Sequence, residues 1–358
     1  VAHLASLERV PVNRVVLAEP RGFCAGVEMA IKALAWMVRV FEAPVYCYHE
    51  IVHNQLVVEE FEHQGVIFID DVALVPPGAP LMLSAHGSAP EVELEASEKG
   101  RIVVNAVCPL VTKVHHELKV RAQKGFTVVY VGHVGHEEAI GTMAVAPSAV
   151  RLVESEEDVE ALEDLHTPVA LLAQTTLPHD EWYGVAQKAK ERFPGLWMPG
   201  RSDLCYATTN RQAALREIAG SCDAVVVIGS ANSSNTVSLT KVARAAGCPR
   251  VLRINAAREL PDDLSGTIGV TAGASAPEWL IEDVLEVLAP RNGVEVVRTV
   301  DEEEYFPPPP ELRDLLRAVS VAVSVSLGVA PRASSPALDD RHISATAMLS
   351  DRPESLAS

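Results

Sequence analysis

Residues 225–235 read VVVIGSANSSN, a β-branched run that passes straight into a glycine and a polar loop. A strand apolar at every position is buried on both faces, which a parallel sheet lying between helices requires. Residues 128–138, VVYVGHVGHEE, and residues 45–54, VYCYHEIVHN, have the same layout. Each is preceded by a cysteine at a matching distance. His49 and His53 lie 25 and 29 residues after Cys24, His133 and His136 lie 25 and 28 after Cys108, and Ser230 and Ser234 lie 25 and 29 after Cys205. A later apolar strand in each segment ends at His86, at Gln174 to Thr176 and at Ser275. The chain therefore reads as α/β with three pseudo-equivalent small domains, each a parallel sheet flanked by helices. Ligands of open parallel sheets bind beyond the carboxyl ends of the strands, where all these loops fall. The expected arrangement places the three lobes around a central cavity.

The boundaries that follow are an N-terminal extension over 1–13, lobes over 14–107, 108–202 and 203–300, and a C-terminal strap over 301–317. The starting strand of the first lobe is a candidate to pack with the third. Residues 301–313, DEEEYFPPPPELR, contain a proline run that reads as extended. Residues 318–358 begin with alternating Val and Ser, suited to a stray strand, and continue Ser/Pro/Ala-rich. The expectation is a disordered tail whose deletion from residue 330 changes little.

At 358 residues with 48% apolar and 22% charged side chains, the composition is that of an ordinary globular protein. The net charge of −18 repels phosphate backbones and anionic lipid, so no nucleic acid and no membrane is expected as a partner. Val1–Asn13 lacks a basic stretch followed by an apolar one, which gives a cytoplasmic expectation. No GxxxxGK[ST] sequence is present, which argues against nucleotide hydrolysis.

The six cysteines form no CxxC pair. Cys24, Cys108 and Cys205 each precede a helical stretch, whose free amides and dipole favour a thiolate. A lone cysteine is commonly a small buried hydrophobe, the reading given to Cys47, Cys222 and Cys248. Recurrence at one place in three lobes makes the first three candidate metal ligands. Three thiolates suit an open zinc site or an iron-sulfur cluster with one unligated iron, and spacing does not choose between them.

The motifs PRGFCAGV (20–27), HEIVHN (49–54), SAHG (84–87), CPLVTKVH (108–115), GHEEAIGT (135–142), AQTTL (173–177), CYATTNRQ (205–212), NSSN (232–235) and VTAGASAP (270–277) occur in this order. Together they closely resemble the 4-hydroxy-3-methylbut-2-enyl diphosphate reductase family, LytB/IspH. That resemblance implies one 4Fe-4S cluster held by Cys24, Cys108 and Cys205. It also implies two-electron reductive removal of the allylic hydroxyl, giving isopentenyl and dimethylallyl diphosphate in the last step of the non-mevalonate pathway. Ferredoxin or flavodoxin is the implied electron donor. Glu138 matches the family's proton source, and His136 and Thr175 match residues that position substrate.

For the diphosphate, His53, His86, Ser233, Ser234, Asn235 and Ser275 offer donors at strand ends and helix starts. Glu137 is expected to be a solvated surface acid. The family more usually has proline at the position of Glu137 and a second acid at that of Ile140. A three-cysteine dehydratase without net reduction and a non-catalytic metal sensor are the rival readings, separated by a requirement for reductant and by turnover.

Overall fold

The computed structural model describes residues 12–98, 102–329 and 340–350. Residues 1–11 of the expected extension 1–13, and residues 330–339 and 351–358 of the expected tail, lie outside them, while Val12 and Asn13 already belong to the first strand. In chain order the strands are β1 (Val12–Glu19), β2 (Val45–Tyr48), β3 (Val66–Ile69), β4 (Leu81–Leu83), β5 (Val103–Asn105), β6 (Thr127–Val131), β7 (Val150–Val153), β8 (Val169–Ala173), β9 (Ala224–Ile228), β10 (Val251–Ile254), β11 (Gly266–Ala272) and β12 (Val294–Arg298). The helices are α1 (Ala25–Val40), α2 (Gln55–His63), α3 (Pro90–Glu98), α4 (Pro109–Gln123), α5 (Glu137–Ala144), α6 (Glu156–Ala161), α7 (His179–Arg192), α8 (Tyr206–Ala219), α9 (Ser234–Ala245), α10 (Glu278–Leu288), α11 (Pro310–Ser326) and α12 (Ala345–Ser350).

All named strands pair in parallel, in three sheets ordered β3-β2-β4-β5, β7-β6-β8 and β10-β9-β11-β1-β12. One pattern recurs. The first strand after each cysteine is central, the next lies on one side of it and the third on the other. A fourth element then flanks the third strand: β5 in the first sheet, a bridge from Ala170 to Trp197 in the second, and β1 in the last. Each cysteine follows such an element, so β1 leads to Cys24 although its sheet is otherwise made of residues beyond 220. The central strands β6 and β9 are almost wholly buried because helices cover both faces, as continuous apolar runs demand.

The chain divides into two compact units. Of the described residues, one unit takes those up to 23 and those from 206 to 302 and holds the five-stranded sheet; the other takes those from 24 to 205 and beyond 302 and holds the remaining two. The core of the five-stranded unit joins Val225 and Val227 of β9 to Leu215 and Ile218 of α8 and Leu239 of α9, and includes Cys222 and Cys248. Arg211 of α8 is fully buried there. Its guanidinium donates to the carbonyls of Gly22, Phe23 and Ala207 and to the carboxylate of Glu302, which fixes the main chain up to the residue before Cys24. In the two-sheet unit, separate cores form around β6 and β8, with Leu118 of α4 and Val185 of α7, and around β4, with Ala96 of α3.

The described part of the C-terminal segment differs from the expected disorder. Pro310 occupies the first turn of α11, where its missing N–H costs nothing, and Leu312 and Leu316 bury against β5. The helix then carries the alternating Val/Ser run as exposed turns instead of a strand. Ala345, Met348 and Leu349 of α12, spaced i, i+3, i+4, bury against α1 and α2. Polar groups reinforce the contact: Arg39 donates to the carbonyl of Met348, Gln64 to that of Leu349, buried Lys32 to that of Asp340, and the amide of Ala345 donates to Glu28. The low apolar content of the tail as a whole concealed these three residues. Leu349→Ala is expected to cost about 2–4 kcal/mol and to lower the thermal midpoint by several degrees, measured by circular dichroism.

Candidate active site

Two of the three sheets meet at their carboxyl ends within the two-sheet unit, and two glycines make the meeting possible. A side-chain carbon on Gly141 of α5 would lie 2.9 Å from the carbonyl oxygen of Gly87, in the loop that follows β4. Gly87 itself has φ +86°, with His115 and Val111 of α4 packed where its side chain would be. Helix α5 therefore lies with its backbone against that loop. This brings His136, Glu137 and Glu138 at its start to His86.

His53 is placed from the β2–α2 loop, where Asn54 caps α2 by accepting from the amides of Leu56 and Val57. The His53 and His86 rings stack, with centroids 3.8 Å apart and planes 12° from parallel, and the His136 ring lies edge-on to His53 at 5.3 Å. Burial, then the neighbouring His86, lowers the pKa of His53. Burial, followed by His53, His86 and His133, lowers that of His136 to about 3. His136 accepts at Nδ1 from the amide of Glu138, so the neutral ring carries its proton on Nε2. That Nε2 has no hydrogen-bond partner among the described residues.

The adjacent acids Glu137 and Glu138 occupy opposite environments. Glu138 is only 3% exposed, and its carboxylate accepts from the amide of Thr175 at 2.7 Å and from the Thr175 hydroxyl at 3.0 Å. Burial pushes its pKa up to about 7 against the pull of those two donors, with Asp203 adding to the rise. Glu137 is the acid expected on the surface, and the structure corrects this. Its carboxylate lies 2.9 Å from Nδ1 of His86 and 3.7 Å from Nδ1 of His49. Burial opposes ionisation of Glu137, but contact with His86 and the charges of His86, His53 and His49 outweigh it and hold the pKa at about 2. Proline at this position would signal no such contact; an acid next to a loop histidine was the available clue.

Cys24 and Cys108 stand at the N-caps of α1 and α4. Both sulfurs lie within 4 Å of the point where a side-chain carbon on Gly26 would be, the Cys108 sulfur only 2.7 Å from it. Burial, then the adjacent Cys24, raises the Cys108 thiol to about 12, although the amides of Leu110 and Val111 favour the thiolate. Cys205 donates its amide to the carbonyl of Thr175 at 2.9 Å. Asp203, two residues earlier, accepts from the amide of Ala173 and pairs with Lys113, so this loop is pinned to the end of β8 beside the residue that holds Glu138. Sequence reading missed Asp203 and Lys113 because neither carries a metal or reaction motif of its own. Gln174 is buried and committed to main-chain support, accepting from the amide of His133 and donating to Thr176.

In the five-stranded unit, Ser233 caps α9 by accepting from the amide of Thr236. Asn235 accepts from the amide of Ala274 and donates to Thr208, tying the start of α9 to the loop that carries Ser275. Ser234 is half-buried on the same first turn. These four predicted residues gather at one strand-end edge, and the histidines, Glu138, Thr175 and the cysteines gather in the other unit.

Repeated parallel sheets, a pair of adjacent, partly buried thiols and a buried acid of raised pKa define a three-sheet α/β protein with the makings of a redox site. The chain belongs to the LytB protein family, whose profile matches residues 15–289. A 4-hydroxy-3-methylbut-2-enyl diphosphate reductase of Streptomyces avermitilis is 45% identical over 87% of this chain and 94% of its own. The reductase of the same name from Leifsonia xyli is 45% identical over 86% and 94%. The structure of the E-1-hydroxy-2-methyl-but-2-enyl-4-diphosphate reductase from Plasmodium falciparum superposes with a TM-score of 0.83 at 32% identity, covering 86% of this chain and 99% of that one. No helix among the described residues is long and apolar enough to cross a membrane.

The Gly141–Gly87 approach leaves no room for a methyl group. Gly141→Val is expected to cost about 1–3 kcal/mol through overpacking, measured by calorimetric unfolding.

Proposed function

We propose that this protein catalyses the two-electron reduction of 4-hydroxy-3-methylbut-2-enyl diphosphate to isopentenyl and dimethylallyl diphosphate, consuming two protons and releasing water. The observation that carries this reading is the placement of a buried carboxyl, Glu138, in the same unit as an adjacent pair of partly buried thiols and a cluster of histidines.

Cys24, Cys108 and Cys205 would hold one 4Fe-4S cluster. Two features fit that group: the pair of sulfurs over side-chain-free Gly26, and a Cys108 thiol too buried to ionise unless a cation sits beside it. When bound, the cluster supplies single electrons, received from a ferredoxin or flavodoxin, and an open iron that polarises the allylic C–O bond.

The remaining work falls to the chain's own side chains. Burial raises the pKa of Glu138 to about 7, so a large share of the carboxyl carries a proton at neutral pH and can deliver it to the departing hydroxyl. The Thr175 hydroxyl, 3.0 Å from the Glu138 carboxyl, orients that proton and can return another. His136 offers its Nε2 proton to the substrate without changing charge, since the ring stays neutral. His53 and His86 in the one unit, and Ser233, Ser234, Asn235 and Ser275 in the other, each offer donors suited to a diphosphate, and binding energy spent on that group positions the reacting end.

Turnover is expected to fall as pH rises through about 7, because Glu138 is the donor only while protonated. Glu138→Gln should retain diphosphate binding and lose about 10²–10⁴-fold in kcat, in an anaerobic assay with a chemical reductant. A fully active Glu138→Gln enzyme removes the assignment.

Gly26→Ala tests the cysteine site through iron content. Glycine to alanine within a helix ordinarily stabilises by up to about 1 kcal/mol. Folding is therefore expected to survive, while iron retained after anaerobic reconstitution drops well below that of the parent protein. Unchanged iron content would show that the sulfurs above Gly26 do not bind it.

A further inference from the structure

The reaction described above gives Glu137 no part, yet this carboxylate stands with two histidines in an arrangement of its own. One ligand atom from each of His53, His86 and Glu137 lies within 4.8 Å of those of the other two. The three come from separate places in the unit: the β2–α2 loop, the loop after β4 and the first turn of α5. Their side chains are largely withdrawn from solvent, with 12%, 14% and 23% of each exposed. Nδ1 of His86 and Oε2 of Glu137 approach to 2.9 Å without the alignment of a hydrogen bond, and neither atom has a hydrogen-bond partner among the described residues. Buried polar atoms are nearly always satisfied, so two left facing each other mark a place where a third group can satisfy both.

We propose that His53, His86 and Glu137 form a binding site for one divalent transition cation of the zinc or ferrous class. Two imidazoles and one carboxylate are the donor set that holds such ions with coordination positions left open. Bonds of about 2.0–2.2 Å put neighbouring ligand atoms of one ion about 3 Å apart. The His86–Glu137 pair already has that spacing. His53 has to turn, because two rings stacked at 3.8 Å and 12° from parallel cannot both aim a lone pair at one ion. Binding therefore splays the stack.

The groups behind the three ligands suit a cation. Nδ1 of His53 donates to the Glu50 carboxylate at 3.4 Å, which leaves the lone pair on Nε2 for a metal and orients the ring as carboxylate–histidine pairs do in metal sites. Glu137 stays ionised in spite of its burial, and its other oxygen lies 3.7 Å from Nδ1 of His49. Asp70, 3.2 Å from that same nitrogen, adds a further negative charge. His136 is not a fourth ligand: its Nδ1 accepts from the amide of Glu138, so its Nε2 carries a proton where a ligand needs a lone pair. The open positions are left to water or an oxyanion. The site shares two histidines with the diphosphate reading but stands on its own geometry, and zinc counts do not depend on how diphosphate binds.

The test is anaerobic equilibrium dialysis of the reconstituted protein against graded zinc concentrations, with zinc and iron counted in each sample. The parent is expected to hold one zinc per chain, with affinity lowered more than about 100-fold in Glu137→Gln and in His86→Phe, which keeps a ring in the stack but no lone pair. Glu50→Gln, acting behind His53, should weaken binding about 10–100-fold. Glu137→Asp should recover part of the loss, and His116→Asn, exposed on α4, should change nothing. Zinc-edge X-ray absorption of the parent should show nitrogen and oxygen at about 2.0–2.1 Å and no sulfur at about 2.3 Å.

Equal zinc binding by the parent, Glu137→Gln and His86→Phe overturns the proposal. So does a sulfur shell around the zinc, which would place the ion on the cysteines. Circular dichroism checks that the variants fold. If one does not, the other still reads the site, and X-ray absorption on the parent needs neither.

Discussion

The site depends on one backbone approach, that of α5 at Gly141 onto the loop at Gly87. Parallel sheets gather their functional loops at one edge, but each sheet alone displays only its own. His86 belongs to one sheet, and Glu137 and Glu138 to another; the distance between their loops is set by two residues without side chains. Any Cβ at position 141 must displace a carbonyl that belongs to the same short loop as His86. Interiors are packed to near-crystalline density, so the displacement passes directly to the histidine stack.

Within that junction, neighbouring acids are driven to opposite charge states. Glu138 is removed from water and, among the described residues, receives the two donors of Thr175, and burial outweighs them to hold its pKa at about 7. Glu137, one residue earlier, turns to His86 and His49 and stays ionised down to about pH 2. A single turn of chain thus supplies both a proton carrier and a fixed charge, because the environment decides what each carboxyl does. The same principle separates the thiols: Cys108 is buried at a helix start that would otherwise favour its anion, whereas Cys222 and Cys248 are packing groups in an apolar core.

Much of the architecture was legible because β-branched runs followed by glycine and polar residues leave few alternatives to buried parallel strands. The repeat of cysteine-to-loop distances was equally legible, since insertions in any lobe would have erased it. Helix α12 escaped notice because three apolar residues, Ala345, Met348 and Leu349, are diluted in a window of Ser, Asp and Pro. Their i, i+3, i+4 spacing was present, but a window average carries no phase. Helix α11 was misread for a related reason: a Val/Ser alternation has the period of a strand, and the helix is set instead by Leu312 and Leu316, which dock before the alternation begins.

The sequence by itself determined the parallel α/β class, the three-fold recurrence and the cysteine, histidine and hydroxyl positions that recur at strand ends, because periodicity and motif order are properties of the chain. Tertiary structure alone decided that Glu137 faces histidines instead of water, that Glu138 keeps its proton, and that Arg211 and Asp203 anchor the segments leading to Cys24 and Cys205. Charge state and reach depend on what stands nearby in space, and residues such as His86 and Glu137, some fifty positions apart, become neighbours only when two sheets close on each other.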